Sequence, residues 1–407
     1  MVSRRMMLST SVGIAAGVTT SGCSAPDSPK WVHAGAGKPG VTPSPTSTVR
    51  VTVTPAAEAK DISPGDPILI SAESGTLQAV TVTTDDTTVA GELDPEQRTW
   101  QSTDSLKYNK TYTVAVVAVD AAGLAVEHTS SFATLKPAAT ASITFQANSL
   151  VALKKGGTYG VGQPVIVHFG KTVKNRTAAQ NAIEVITEPA VEGRWRWING
   201  RDAHWRPAKY WIPGTKITVK VKVLGVDLGG GVYGATNATT RFSIGPSRIA
   251  VADANTHHMQ CFVNGKMVRD IPVSLGKGGT ATTADGKTVH FWTNSGPHII
   301  LVKSPTVRMT SSSYGVKDPE DPNYYDELVK LCCRISYSGE FVHLADWNVP
   351  AHGQTNTSHG CINVGPSNAQ WFYDTFQLGD VVEVKNSPRT LAIDNGVGDW
   401  NMSWEKW

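Results

Sequence analysis

Thr111-Tyr112-Thr113-Val114-Ala115-Val116-Val117-Ala118-Val119 places Thr, Tyr and Val in period two over nine residues, the pattern of a half-buried strand. The residues leading into it, Leu106-Lys107-Tyr108-Asn109-Lys110, make a turn followed by a strand of immunoglobulin-like type. Outward from there, short alternating runs recur at Val49–Val53, Ile68–Ser71, Gln78–Thr83 and Glu127–Thr134, broken by Gly, Pro and Asp. Together they predict a small β-sandwich over residues 49–137.

The same grammar continues. A second sandwich is expected over 138–246, with strands at Val165–Phe169, Ile183–Thr187, Lys216–Val223 and Thr239–Ile244. Its Trp195, Trp197, Trp205 and Trp211 suit either carbohydrate stacking or, as the preferred reading, packing against the next domain. Asp227-Leu228-Gly229-Gly230-Gly231 offers one carboxylate where a hard cation wants several oxygens, so no metal is assigned. A third domain is expected over 247–386, with strands at Ile249–Ala252, Met259–Val263, Lys266–Val273, Ile299–Lys303, Arg334–Tyr337 and Val381–Lys385. Val263-Asn264-Gly265-Lys266 reads as a hairpin turn. Pro366 opens a helix that runs through Trp371, Phe372 and Phe376 until Gly379. Residues 387–407 carry Trp400, Trp404 and Trp407, too much aromatic surface for a free tail.

Composition agrees with this mainly β chain. At 407 residues it exceeds one hydrophobic core, and its 38 Gly and 23 Pro imply many turns. A net charge of +3 gives no clustered basic face, which argues against nucleic acid as a partner.

Chemistry concentrates near the C-terminal end. His343 is followed by fourteen residues (344–357) and then Ser358-His359-Gly360-Cys361-Ile362-Asn363. A cysteine attacks as thiolate and needs a neighbour that lowers its pKa or takes its proton. On residue types alone, either His343 or His359 suits that role. Gly360 lets the backbone approach closely, so the amides of His359, Gly360 and Cys361 are candidates for an oxyanion hole. Ser358 orients a histidine or caps the loop, and Asn363 holds substrate or braces it. Met309, Tyr314, Tyr324 and Tyr325 lie in a Ser-, Pro- and Asp-rich stretch too long for a tight hairpin, the length of a functional lid. No cofactor is implied.

The full pattern His343-x14-Ser358-His359-Gly360-Cys361-x-Asn363 resembles the L,D-transpeptidases with their YkuD-type catalytic domain. Phe341–Trp347 and Asn363–Tyr373 resemble the mycobacterial-type branch, in which two Ig-like domains precede the catalytic one. The resemblance runs from about residue 50 to the end. It implies two Ig-like β-sandwich domains followed by a mostly β catalytic domain with one or two helices. It also implies Cys361 as nucleophile and His343 as base, with a backbone carbonyl near Leu344 fixing its tautomer and His359 in support. Tyr325 or Tyr324 would face substrate from the lid, with Tyr325 favoured. From their own positions, Ser338 and Gly339 in the turn before the His343 strand are expected to offer backbone groups to a peptide stem, Trp347 to wall the groove, and Met309 to contact substrate from the lid stretch. The implied partners are peptidoglycan stem peptides, a tetrapeptide donor and a diaminopimelate acceptor, with carbapenem-type β-lactams as inhibitors. Two rivals stand beside this reading: a cell-wall cysteine endopeptidase, and a non-enzymatic Ig-domain wall-binding protein.

The N-terminus reads as an export signal. Ser3-Arg4-Arg5-Met6-Met7-Leu8 and a small-residue stretch to Thr19 precede Thr20-Ser21-Gly22-Cys23, so residues 1–23 resemble a lipoprotein leader with lipidation at Cys23. Thr20 stands where such leaders carry Leu. Residues 24–48 form a Pro-, Ser- and Thr-rich tether, placing the chain in the cell envelope at the membrane. Cys261, Cys332 and Cys333 are read as buried free thiols, with a Cys261 disulfide as the alternative.

Overall fold

The computed structural model describes residues 46–85, 87–283, 286 and 288–407. The leader, Cys23 and nearly all of the tether lie outside the described residues.

Alternation along Thr111–Val119 resolves into a strand whose Tyr112, Val114, Val116 and Ala118 are buried while the odd positions face outward. It pairs with Thr76–Thr84 on one side and Ala125–Ala133 on the other. A second sheet of Arg50–Thr54, Leu69–Glu73, Thr99–Ser102 and Gly91–Leu93 closes the sandwich over Ile68, Ile70, Trp100 and Phe132. The next sandwich repeats the arrangement. A five-stranded sheet centred on Val165–Phe169 faces a four-stranded sheet centred on Lys216–Val221 and Ala238–Ile244.

Trp205 and Trp211 are buried inside that second sandwich, with Trp195 and Trp197 packed against the same core. Packing on the next domain is the preferred expectation for these four, and the cluster that holds them does take in Val381, Ile249 and Leu378 of the C-terminal domain. Trp205 and Trp211 lie 5.6 Å apart, and the Trp211 indole N–H donates to Gln163 O at 2.6 Å. A buried indole needs such a partner, and the domain supplies it internally.

The C-terminal domain is built on one nine-stranded sheet. Its strand order is Gly296–Ile299, Val381–Lys385, Arg248–Asp253, His258–Val263, Lys266–Ser274, Ile362–Val364, Phe341–Leu344, Asp326–Arg334 and Val302–Thr310. Two expectations shift. The expected strand at Ile299–Lys303 is broken at Ile300 and Leu301 into two strands. The one expected at Arg334–Tyr337 lies upstream at Asp326–Arg334, where Leu331 at φ 52° interrupts the alternation.

Phe341–Leu344 and Ile362–Val364 run parallel, with Val342 opposite Ile362, His343 opposite Asn363 and Leu344 opposite Val364. Parallel neighbours need a crossover of a dozen or more residues, which is what the long spacing between His343 and Cys361 provides. Behind them the helix Pro366–Thr375 lays Ala369 and Phe372 on Val342, Ile362 and Val364. This pins the crossover from the back.

Residues 387–407 do not hang free. Trp400 Nε1 donates to Gly162 O at 2.8 Å, and the Arg206 guanidinium lies over Trp400, Trp404 and Trp407. At the junction of second sandwich and sheet, a Cβ on Gly160 would come within 2.1 Å of Asp380 N, so only glycine permits that approach.

Candidate active site

The parallel register sets the site. His343 stands opposite Asn363, and Cys361 lies two residues before Asn363, so the imidazole and the thiol belong to the same face of adjacent strands. The His343 Nδ1–H donates to Leu344 O at 2.8 Å, which leaves Nε2 with the free lone pair. Trp347 stacks on the ring at 5.9 Å. Burial drives the His343 pKa down to about 4, against a smaller opposing effect of the Leu344 carbonyl. The imidazole is therefore neutral at pH 7, as a general base must be.

Burial also pushes the Cys361 thiol up to about 12, and the nearby Glu340 carboxylate adds to the rise. Phe341 N–H and Arg334 oppose it. The sulfur donates to Gly339 O at 3.7 Å in this state. Thiol and imidazole thus both rest neutral at pH 7.

The loop before Cys361 is held from within. Ser358 Oγ donates to Cys361 O at 2.6 Å and accepts from Gly360 N at 3.0 Å, so it caps the loop. Gly360 has φ +136°, a conformation that excludes other residues although a Cβ there would meet nothing closer than 3.6 Å. His359 points away from the base role. Its Nε2 accepts from Lys277 Nζ at 3.1 Å, and burial lowers its pKa to about 4, with the Lys277 charge adding to the effect. Its ring lies 4.9 Å from Phe291 and 5.1 Å from Tyr325.

Cys361 opens on a groove of about 620 Å³ lined among others by Met309, Tyr314, Tyr325, Ser338, Gly339, His359 and Gly360. Of the lid tyrosines, Tyr325 lines it and Tyr324 does not. His343, Trp347 and Asn363 lie outside that lining. Asn363 is buried and its Oδ1 has no partner among the described residues, so this oxygen neither braces the loop nor lines the groove. Trp347 is 52% exposed and is not part of the groove wall.

Residues 59–227 match the bacterial Ig domain family, and 247–384 match the L,D-transpeptidase catalytic domain family. L,D-transpeptidase 2 of Mycobacterium tuberculosis is 41% identical over 350 residues, covering 84% of this chain and 79% of the relative. This chain belongs to the L,D-transpeptidase family. L,D-transpeptidase 5 of the same species is 31% identical over 89% of this chain and 77% of its own length. A solved L,D-transpeptidase in complex with imipenem is 30% identical, covering 59% of this chain and 98% of that one at a TM-score of 0.48. The protein is accordingly an L,D-transpeptidase, an enzyme, with Ig-like architecture ahead of its catalytic domain.

Several residues around this transpeptidase site escape a reading of the sequence. Lys277 bridges His359 and, at 3.0 Å, Asn323 Oδ1 in the lid. Glu340 turns inward, accepting from Asn294 N at 2.6 Å with His298 Nε2 at 3.7 Å. Asn395, from the C-terminal segment, accepts from Ser338 N and donates to Ser338 Oγ, both at 2.8 Å. Cys261, Cys332 and Cys333 are free and buried. Among the described residues no helix is long and apolar enough to cross a membrane.

Proposed function

We propose that the chain forms 3→3 cross-links between peptidoglycan stem peptides through a thioester on Cys361, with His343 as base and acid. Cys361 Sγ attacks the carbonyl of the bond between the L-centre of the third residue and D-Ala. The thiol proton passes to His343 Nε2 and then to the departing D-Ala amine. The side-chain amine of a diaminopimelate on a second stem attacks the thioester, and the thiol is restored. Water in place of that amine gives a carboxypeptidase. The observation that carries this reading is a groove opening on Cys361, with a neutral imidazole on the adjacent strand whose Nε2 is left free by the Leu344 bond.

β-Lactams of the carbapenem type enter as acylating inhibitors of the same thiol. Relatives solved with imipenem and with a faropenem-derived adduct support that extension. Incubation with purified disaccharide-tetrapeptide should give a dimer with loss of one D-Ala, and meropenem should add its mass at Cys361. Neither product forming would overturn the thioester on Cys361. We place the enzyme in the cell envelope, anchored through lipidated Cys23; a Cys23→Ala chain should leave the membrane fraction, and its retention there would refute the anchor.

A further inference from the structure

The charged side chains that line the groove, besides its histidines, are Arg308, Arg334, Glu340 and Arg389. Two of them are already engaged. Arg308 is held by Asp326 through bonds of 2.8 and 2.7 Å. Glu340 is 5% exposed; its Oε1 accepts from Asn294 N, and its Oε2 lies 3.7 Å from His298 Nε2 as an ion pair without a hydrogen bond. Arg334 and Arg389 remain as charges that face the groove.

Arg334 is set for recognition. Its guanidinium lies 4.4 Å over the Phe341 ring, and Nη1 donates to Ser336 O at 3.2 Å and Tyr337 O at 3.4 Å. Nε and Nη2 have no hydrogen-bond partner among the described residues and neither is a fully buried atom, in a residue that lines the groove. Stacking and two carbonyls have fixed the fork before any ligand arrives, which lowers the entropy lost on binding. The register then locates it. Arg334 is opposite Phe341, and Phe341 and Cys361 each precede a paired residue by one, so the three share a transverse row. The thiol packs against the cluster containing Phe341.

Arg389 approaches from the C-terminal segment. Its carbonyl accepts from Ser295 N at 2.5 Å and from Ser295 Oγ at 3.1 Å, and Leu391 beside it is buried. The backbone is thereby fixed, while the exposed side chain has no partner among the described residues.

We propose that Arg334, assisted by Arg389, forms a carboxylate subsite beside the thiol that takes the terminal carboxylate of the acyl donor. In a peptide whose last residue departs, that carboxylate sits on the carbon bonded to the scissile nitrogen. It is the charge nearest the reacting carbonyl, as Arg334 is the free cation in the row of the thiol. Planar, paired recognition of a carboxylate is what a pre-set guanidinium does best. The inference rests on the groove being the donor site. It adds the reason a donor ending in a free carboxylate is selected, and it gives the C-terminal segment a part in substrate choice.

The test compares one tetrapeptide stem ending in D-Ala with the same stem ending in D-alaninamide, reading release of the terminal residue as kcat/KM. The wild type should prefer the acid by roughly 10- to 100-fold, the range of a hydrogen bond to a charged group. Arg334→Met should bring that ratio toward one. Arg334→Lys, which keeps charge but loses the fork, should fall between, and Arg389→Met should reduce the ratio less. Should Arg334→Met not fold, Arg334→Lys and the exposed Arg389→Met still report the ratio. An unchanged ratio in the variants, or equal use of both stems by the wild type, overturns the subsite. If the wild type releases neither residue while meropenem still acylates Cys361, the donor reading fails and the subsite falls with it.

Discussion

Cys332 and Cys333 are adjacent in one strand, yet they face two different environments. Cys333 points to the helix side, into a core with Val342, Ile362, Phe372 and Phe376. Cys332 points the other way, toward Phe341 and the half-buried Cys361. The helix face is mainly apolar packing, with Arg269 over Trp371 and Lys303 over Tyr373 at its edges. The groove face carries a buried neutral imidazole, an inward carboxylate and an Asn363 oxygen without a partner. One set of strands therefore serves stability on one side and chemistry on the other, and the alternation of side chains keeps the two roles separate.

That separation can be broken deliberately. Cys361→Ala on the groove face should abolish cross-linking while the unfolding transition stays where it is; residual turnover would remove the thiol from the mechanism. His343→Asn should lower acylation by roughly 10²–10⁴, the usual worth of a general base, again with little change in stability. On the helix face, Phe372→Ala should cost about 3–5 kcal/mol in denaturant unfolding of the catalytic domain. Its rate per folded molecule should move far less than that of either groove variant. A large loss of rate with unchanged stability in Phe372→Ala would show the two faces to be coupled.

Much of this contrast is legible in the sequence, and the reasons differ by region. Strands such as Thr111–Val119 and Val165–Phe169 declare themselves because local alternation or a short apolar run meets clear turn residues. The strand Asp326–Arg334 hides because Leu331 breaks its period and its first residues are polar. Cys361, His343 and the loop of Ser358 and Gly360 are visible because they crowd into one stretch. Lys277, Glu340, Arg389 and Asn395 act through contacts between segments distant in sequence, which no local pattern reports. The tryptophan cluster of the second sandwich is legible as aromatic packing, in a core that also takes in Val381 of the next domain.

Burying a neutral His343 has a consequence for the fold as well as the reaction. Its folded pKa of about 4 lies below the ordinary 6.5, so the unfolded chain binds more protons between those values. This group's contribution to stability is present above pH 6.5 and is lost as pH falls toward 4. In the proposed mechanism the same displacement would govern catalysis, because Nε2 can accept the thiol proton only while it is unprotonated. The rate of Cys361 acylation by a carbapenem, followed by mass from pH 3 to 10, tests this most directly. A resting neutral pair predicts a half-maximal rate near pH 4 and a plateau through neutrality that disappears in His343→Asn. An acid limb near 6.5, or a rate climbing tenfold per pH unit up to pH 8 or 9, would contradict it and return the mechanism to a preformed thiolate.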